Sequence, residues 1–252
     1  MKISVVTVSY NSCQTIEDTI LSVISQANAN FEHIIIDGGS TDATQSMLDK
    51  YRAHFSYVVV EKDNGIYDAM NKGIGLCSGD VICFLNSDDT FFDNDVLSRV
   101  SLEFSNNFKV GAVLSNVVQD SNGNINRLLS AEFFAPWQMR FGFNPPHPGI
   151  FLRSSIYEQY GLFKLDYLIS ADIELMVRLF CKERVSFSHI DFTSVKMKVG
   201  GVSTSGWHST HIISKEMVRA CKSNNINTNY LLVLLRLPLK WFFQKVLFKL
   251  KG

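Results

Sequence analysis

The stretch VICFLNSDDTFF, residues 81–92, decides the fold because an apolar run of strand length stops abruptly at polar residues. Val81 to Leu85 are predicted to form a buried β-strand. Two adjacent carboxylates, Asp88 and Asp89, come shortly after it. Burying such a pair is unfavourable in free energy, because the two charges repel each other and burial disfavours the charged form of each. The arrangement therefore indicates that the end of this strand binds something that compensates for the two charges.

The residues around this strand repeat a strand-then-helix alternation. Short apolar runs predict strands at 3–9, 31–36, 57–60 and 80–85, and apolar residues at helical spacing predict helices at 13–27, 42–54, 67–77 and 94–104. Further along, strands are predicted at 110–118 and 150–153 and an apolar helix at 172–181. The alternation predicts an α/β fold, in which helices flank a mostly parallel central sheet.

Four polar clusters each follow one of the first four predicted strands. They are TVSYN (7–11), DGGSTD (37–42), EKDNG (61–65) and NSDD (86–89). Ligands of open parallel sheets bind beyond the carboxyl ends of the strands. We therefore expect these four loops to meet along one edge of the sheet and to form one site.

Composition narrows the class of protein. Lys and Arg total 24, and Asp and Glu total 24, so the formal net charge of zero gives no indication of a nucleic-acid partner. The five Cys occur singly, without the spacing of a zinc site, and the N-terminal apolar run is too short for a signal peptide. We therefore expect a protein of the reducing cytoplasm.

We interpret the chain as one domain followed by a tail. Residues 1–220 form the domain, with a nucleotide-binding half at 1–107 and a second-substrate half at 108–220, and the tail covers 221–252. No acid follows Glu216, and basic residues recur among Leu, Phe and Trp in LLVLLRLPLKWFFQKVLFKLKG (231–252). The charges and Pro238 argue against a spanning helix.

The tail is instead predicted to form a basic amphipathic helix that lies in the interface of an anionic membrane. The alternative is a helix packed on its own domain or on a dimer partner, which leaves a homodimer open. With the interfacial helix, the protein would be peripheral at the inner face of the cytoplasmic membrane.

Asp88 and Asp89 allow two interpretations. The simpler one is a polar turn that caps the next helix. The other is a site for Mg²⁺ or Mn²⁺, because hard oxygen ligands suit these ions, which also bind substrate phosphates. Asp37 in DGGSTD likewise allows a glycine turn, with Asp42 capping a helix, or a carboxylate that accepts hydrogen bonds from a nucleobase or ribose. The sequence has neither a P-loop nor a GxGxxG fingerprint.

The motifs TVSYN, DGGSTD, GIYDAMNKGI (65–74), GD (79–80) and FLNSDD (84–89), in that order and spacing, resemble those of family 2 glycosyltransferases, which have the GT-A fold. The resemblance extends over about residues 1–220. SADIELMVRL (170–179) is similar to the family's "ED…LxxRL" segment, with Ala171 where Glu is frequent. Residues 86–88 match the family's DXD motif, with Asn86 in place of the first Asp.

The resemblance implies roles for individual residues. The nucleotide site would include Thr7, Ser9, Asn11, Asp37, Ser40, Asp63, Asn71, Lys72, Asn86 and Ser87. Asp88, and with it Asp89, would hold the Mn²⁺ or Mg²⁺ ion. Asp172 would be the catalytic base, although an Asp in a first helical turn is also favoured by the helix dipole.

Three histidines extend the predicted site. His147, in the stiff loop PPHPG (145–149), is predicted on the acceptor side, with a structural His as the alternative. GGVSTSGWHSTH (200–211) resembles the loop that closes over the donor diphosphate. His208 or His211 in it could ligate the metal or serve no such role.

The function that follows is metal-dependent, inverting transfer of a sugar from a nucleotide sugar, here a UDP-sugar, to a hydroxyl of a sugar acceptor. The basic tail favours a polyprenyl-diphosphate-linked acceptor in the assembly of O-antigen, capsule or exopolysaccharide. A haloacid-dehalogenase phosphatase would need an Asp motif after the first strand, and a sugar nucleotidyltransferase a Gly/Arg/Lys-rich first loop. Neither is present. A non-catalytic nucleotide-sugar-binding or membrane scaffold protein of the same fold is the remaining alternative.

Overall fold

A mixed β-sheet organises the chain in the computed structural model, which describes residues 1–121, 123–198 and 207–238. Within these residues the strands are β1 (Lys2–Ser9), β2 (Asn30–Asp37), β3 (Tyr57–Val60), β4 (Val81–Phe84), β5 (Thr90–Phe91), β6 (Ala112–Ser121), β7 (Asn124–Leu129), β8 (Ile150–Arg153) and β9 (Phe187–Lys198). Their order is β3-β2-β1-β4-β8-β6-β9-β5, and β7 pairs with β6 outside this path.

The first four strands of this order are parallel to one another. The register of β1 on β2 ends at Ser9 opposite Asp37, and that of β1 on β4 pairs Val6 with Phe84. The carboxyl ends of these strands therefore lie at the same edge of the sheet. The other half is mixed, because β8 is antiparallel to both β4 and β6 while β9 is parallel to β6.

The described helices are α1 (Ile16–Ile24), α2 (Thr44–Lys50), α3 (Ile66–Leu76), α4 (Val96–Asn106), α5 (Ser154–Tyr160), α6 (Ala171–Met176), α7 (Trp207–Ser223) and α8 (Tyr230–Leu234). Each strand and helix predicted from periodicity is present, with ends shifted by a few residues. The apolar helix predicted at 172–181 is α6, which continues as a π-helical turn over Val177–Lys182. Strands β5, β7 and β9 were not predicted, because β5 has two residues and the other two lack a clean alternation of buried and exposed positions.

Glu32 links β1, β2 and the loop before β4 inside the fold. Its carboxylate accepts hydrogen bonds from the Lys2 ammonium (2.7 Å), the Ser4 hydroxyl (2.5 Å) and the backbone N–H of Ser78 (2.7 Å). Burial opposes ionisation of this carboxyl, but the hydrogen bonds from Lys2, Ser4 and Ser78 outweigh it and lower the pKa to about 2. A buried charge is thus fully compensated at the amino-terminal part of the parallel strands.

The described residues fall into two compact units. The first contains the sheet and is built from residues 1–133, 145–165 and 185–198, apart from 122. The second is built from 134–144, 166–184 and 207–238. The boundaries predicted at 107 and 220 stay predictions.

The second unit contains α6, α7 and α8. No helix in the described part of the chain is long and apolar enough to cross a membrane. α8 packs on its own unit, with Val233 fully buried and the Arg236 guanidinium donating to the Ser214 hydroxyl (3.1 Å). Most of the predicted tail helix, residues 239–252, lies outside the described residues.

Helix α7 holds the segment that leads into α6. The Glu216 carboxylate accepts hydrogen bonds from three consecutive backbone N–H groups, those of Leu168 (2.6 Å), Ile169 (3.0 Å) and Ser170 (2.9 Å). One turn further along α7, the Arg219 guanidinium donates to the backbone oxygen of Asp166 (2.9 Å) and to its carboxylate. The start of α6 is therefore fixed by charge-assisted hydrogen bonds from another helix.

A buried ion pair lies within the helix that begins at Ala171, and Asn224 connects it to the end of α7. Arg178 donates to Glu174 at 3.0 Å, and both side chains are almost inaccessible to solvent. The Asn224 amide, just beyond the end of α7, donates to the same carboxylate at 3.2 Å. This pairing anchors the helix that begins at Ala171.

We predict that Glu216→Gln loosens the start of α6, because an amide cannot accept all three N–H groups. The free energy of unfolding should fall by about 1–3 kcal/mol, the range for charge-assisted hydrogen bonds and unsatisfied donors. Hydrogen exchange of the amides of residues 168–170 should accelerate. Glu158→Gln, which changes an exposed glutamate on α5, is the control and should leave both unchanged. Unchanged exchange in Glu216→Gln would contradict the prediction.

Candidate active site

The loops after β1, β2 and β4 meet at the carboxyl edge of the parallel strands, as predicted. The hydroxyl of Ser9, the last residue of β1, donates to Asp37 Oδ2 at 2.8 Å. The backbone N–H of Asn11 donates to the Ser40 hydroxyl at 2.8 Å. The hydroxyls of Ser12 and Ser87 share a hydrogen bond of 2.7 Å. Three separate loops are therefore joined by short polar contacts.

Asp37 is the centre of this network and is fully buried. Its Oδ1 accepts the backbone N–H groups of Gly39 (3.2 Å) and Ser40 (2.7 Å). Its Oδ2 accepts the hydroxyls of Ser9 (2.8 Å) and Ser40 (2.6 Å). A carboxylate has about four lone-pair positions, so all of them are used inside the protein. In this structure the Asp37 side chain organises the loop, and its predicted contact with a nucleobase stays a prediction.

The loop after β3 approaches the same place through Asp63. A side chain on Gly38 would have its Cβ 2.5 Å from Asp63 Oδ2, so the DGGS turn leaves room for this carboxylate. Gly39 has a φ of +83°, a conformation that glycine adopts without strain. Asp63 is half-buried and accepts the backbone N–H of Gly65 at 2.9 Å. All four predicted loops therefore converge.

Asn71 and Lys72, on α3, are both engaged within the protein. The Asn71 amide donates to the backbone oxygen of Phe163 (2.9 Å) and accepts its N–H (3.0 Å). The Lys72 ammonium pairs with Glu61 (2.8 Å) and Asp68 (3.5 Å). Asn71 thereby holds a distant loop against α3, a contact that the local sequence does not indicate.

His147 packs in an aromatic cluster of the first unit. Its ring stacks on Phe84 with a centroid distance of 5.8 Å, and it meets the edge of Phe163 at 5.9 Å. Phe84 is the last residue of β4, so the cluster lies directly before the NSDD turn. The position of His147 agrees with a structural role, and its predicted acceptor role stays a prediction.

Thr7 lies in the interior of the fold. Its side chain is fully buried and forms a hydrogen bond of 3.0 Å with His33 Nε2. Burial lowers the pKa of His33 to about 3, so this ring is neutral. The Thr7 side chain has no accessible surface, and its predicted contact with the nucleotide stays a prediction.

Asp88 and Asp89 have different surroundings although they are adjacent. Asp89 is buried, and its carboxylate accepts the backbone N–H of Lys198 (3.2 Å) and the Asn86 amide (3.3 Å). Burial and the nearby Asp88 charge raise the pKa of the Asp89 carboxyl to about 8. Asp88 is partly exposed, and burial raises its pKa as well. Asp89 is thus a structural contact to β9, while Asp88 remains accessible.

The turn at residues 86–89 offers few protein ligands for a cation, but their ligand atoms are oxygens, which suit Mg²⁺ and Mn²⁺. The Asn86 Oδ1 atom is buried and has no hydrogen-bond partner among the described residues. Together with the Asp88 carboxylate it supplies the oxygen ligands that Mg²⁺ and Mn²⁺ prefer. Within residues 1–121, 123–198 and 207–238, no three His, Cys, Asp or Glu side chains come together as a ready-made metal site. The residues therefore fit a cation that takes most of its ligands from substrate phosphates and water.

Asp172 is the second residue of α6 in the second unit and is partly exposed. Its helix begins at the segment that Glu216 holds. No local pattern in the sequence indicates Glu216, because its contacts join residues far apart in the chain. In the first turns of α7, His208 is exposed, and His211 Nδ1 lies 2.7 Å from the Tyr230 hydroxyl. The predicted metal roles of both histidines stay predictions.

Comparison with known proteins identifies the family. The model of the family "Glycosyl transferase family 2" matches residues 4–167. An uncharacterized glycosyltransferase of Mycobacterium tuberculosis is 34% identical over 178 residues, which cover 70% of this chain and 68% of that protein. A PGL/p-HBAD biosynthesis glycosyltransferase of Mycobacterium bovis is 26% identical over 246 residues, covering 92% of this chain and 89% of that protein.

Solved structures agree on the fold. TarS of S. aureus in complex with UDP superposes with a TM-score of 0.65 at 17% identity, covering 86% of this chain and 66% of that one. This chain spans only 40% of the longer TarS structure. The mannosyltransferase PcManGT from Pyrobaculum calidifontis, in complex with GDP-Man and Mn²⁺, superposes with a TM-score of 0.64 at 16% identity. The match covers 90% of this chain and 65% of that one. The chain is therefore a glycosyltransferase that belongs to family 2 and has the GT-A fold.

Proposed function

We propose that this glycosyltransferase moves a sugar from a UDP-sugar to a hydroxyl of a sugar acceptor, with inversion at the anomeric carbon and with Mn²⁺ or Mg²⁺ as cofactor. The observation that carries the proposal is the convergence of four polar loops at one edge of the parallel strands, next to the accessible Asp88. The UDP complex of the structurally similar TarS supports the choice of nucleotide.

The residues of the first unit would bind the nucleotide. Ligands of such sheets lie beyond the carboxyl ends of the strands, where Ser9, Asn11, Ser40 and Asp63 line the loops. The network around Asp37 holds these loops in one conformation before the ligand arrives. Binding then costs little ordering entropy, which favours affinity.

Asp88, with Asn86 Oδ1, would hold the divalent cation. When bound, the cation supplies Lewis-acid stabilisation of the charge that develops on the departing diphosphate. The Mn²⁺ complex of PcManGT supports the choice of ion. The Ser87 hydroxyl bonds to the Ser12 hydroxyl and would help to hold the turn at the nucleotide site.

Asp172 would act as the catalytic base. A sugar hydroxyl is a poor nucleophile, and a carboxylate within hydrogen-bond reach removes its proton as the new bond forms. The clamp of Glu216 on the preceding backbone would fix the direction of the Asp172 side chain. A single base without a covalent intermediate suffices for inversion, unlike the paired carboxylates of retaining hydrolases.

The acceptor would be a lipid-linked sugar at a membrane surface, in the assembly of a surface polysaccharide such as O-antigen, capsule or exopolysaccharide. The basis for this part is the sequence of residues 239–252, which combines Lys with Leu, Phe and Trp. The relative named as a PGL/p-HBAD biosynthesis glycosyltransferase supports a role in biosynthesis. The protein would then work at the inner face of the cytoplasmic membrane, as a peripheral protein.

The reaction is tested by measuring UDP release from a panel of UDP-sugars with Mn²⁺ and candidate acceptors. At least one UDP-sugar should be turned over. Asp172→Asn should lower kcat by about 10²–10⁴-fold, the usual contribution of a general base. The affinity for UDP should not change, because the base does not contact the nucleotide. Asp49→Asn, which changes an exposed carboxylate on α2, should behave as wild type. Turnover that survives in Asp172→Asn would exclude this residue as the base.

The metal assignment is tested by titrating Mn²⁺ against activity in Asp88→Asn and Asp89→Asn. Asp88→Asn should lose about a hundredfold or more of activity, because several kcal/mol of transition-state stabilisation depend on the cation. Asp89→Asn should keep the Mn²⁺ requirement of the wild type but melt at a lower temperature. If Asp89→Asn shifts the Mn²⁺ requirement more than Asp88→Asn does, the assignment is reversed. If neither variant changes the dependence of activity on Mn²⁺, the two residues have no role in metal binding.

The membrane role is tested by deleting residues 239–252, which leaves α8 and its packing on α7 intact. The full chain should sediment with vesicles that contain anionic lipid, and the truncated chain should not, since each Lys near such a surface contributes about 1 kcal/mol. Vesicles of neutral lipid serve as the control. Equal binding of both chains to anionic vesicles would show that the tail is not the anchor.

A further inference from the structure

The last residue of β9, Lys198, is held against the acidic turn. Its backbone N–H donates to Asp89 Oδ1 at 3.2 Å. The other Asp89 oxygen accepts the Asn86 amide, and the backbone oxygen of Asp89 accepts the Thr19 hydroxyl at 2.7 Å. The position of Lys198 relative to residues 86–89 is therefore fixed by a buried carboxylate.

The Lys198 side chain is exposed and forms no ion pair among the described residues. Asp120 is its register partner on β6 but forms no salt bridge with it among the described residues. Lys72 differs in this respect, because its ammonium already contacts two carboxylates, those of Glu61 and Asp68. Lys198 thus leaves a positive charge uncommitted at the edge where the loops converge.

The residue next to Asp89 in this turn is Asp88, whose side chain is partly exposed. The backbone contact at Asp89 keeps the start of the Lys198 side chain beside the turn that carries Asp88. A ligand group bound by Asp88 through a cation would lie in the field of the Lys198 ammonium.

The chemistry of the transfer requires positive charge at this place. The bond between the anomeric carbon and the diphosphate oxygen breaks with its electron pair on the oxygen, the acceptor oxygen bonds to the carbon, and the acceptor proton goes to the base. The departing nucleoside diphosphate gains negative charge, which a nearby cation stabilises. A lysine is a common binder of phosphate as a point charge.

We propose that the Lys198 ammonium binds the diphosphate of the sugar-nucleotide donor and stabilises its charge as it leaves. The inference rests on the proposed use of a UDP-sugar, and it adds a residue of the chain itself to the contacts made through the cation at Asp88. Two observations favour this role: the Lys198 side chain is exposed without an ion pair among the described residues, and its backbone is held beside the acidic turn.

The test compares binding of UDP and of uridine, which lacks the diphosphate, by calorimetry and ligand-observed NMR in Mg²⁺ buffer. In Lys198→Met the Kd for UDP should rise about tenfold or more, the loss expected for one charge-assisted hydrogen bond. The Kd for uridine should not change. Lys198→Arg should restore most of the UDP affinity. Lys196→Met is the control, because that ammonium lies over the Phe92 ring at 5.0 Å.

Each other outcome has a definite meaning. Unchanged UDP affinity in Lys198→Met would overturn the inference and leave the proposed function intact. An equal rise in the Kd for UDP and in the Kd for uridine would also overturn it, because the substitution would then disturb the loops rather than a diphosphate contact. A wild-type protein that binds neither compound would overturn the proposed use of UDP-sugars itself.

Discussion

The Asp37 carboxylate is the contact on which the nucleotide side of the fold depends. It is fully buried, and its four hydrogen bonds come from the end of β1 and from the loop after β2. A buried carboxylate with unfilled positions would be strongly destabilising. Since both oxygens are saturated, the charge instead fixes how two adjacent strands end, and Ser12 extends the order to the loop after β4 through Ser87.

The acidic turn shows how one sequence motif can contain two separate functions. Asp89 is oriented inward and joins the turn to β9, whereas Asp88 is accessible and its neighbour Asn86 has an unpartnered oxygen. Replacement of the usual first carboxylate by Asn86 lowers the negative charge of the turn. Burial and the Asp88 charge raise the pKa of Asp89 and outweigh the hydrogen bonds from Lys198 and Asn86, which favour its charged form.

The sequence was sufficient for the parallel half of the sheet, because β1 to β4 and α1 to α4 follow strong local periodicities that tertiary packing does not override. It also predicted that the polar loops meet, since topology alone brings parallel strand ends together. β9 was missed because it lies half-buried along most of its length. The contacts of Glu216 with 168–170 and of Asn71 with Phe163 join residues far apart in sequence, so no local pattern could indicate them.

The hydrogen-bond network of Asp37 is separate from the exposed side chains at the same edge of the sheet. The atoms that fix the loops, those of Asp37, Ser9 and Ser40, are internal, whereas Tyr10 is 64% exposed and lies beside Gly38. Exposed side chains such as Tyr10 can change without breaking a hydrogen bond that the strand ends require. Substitutions at such exposed positions therefore leave the framework of the strand ends intact, whereas a change at Asp37, Ser9 or Ser40 removes part of it.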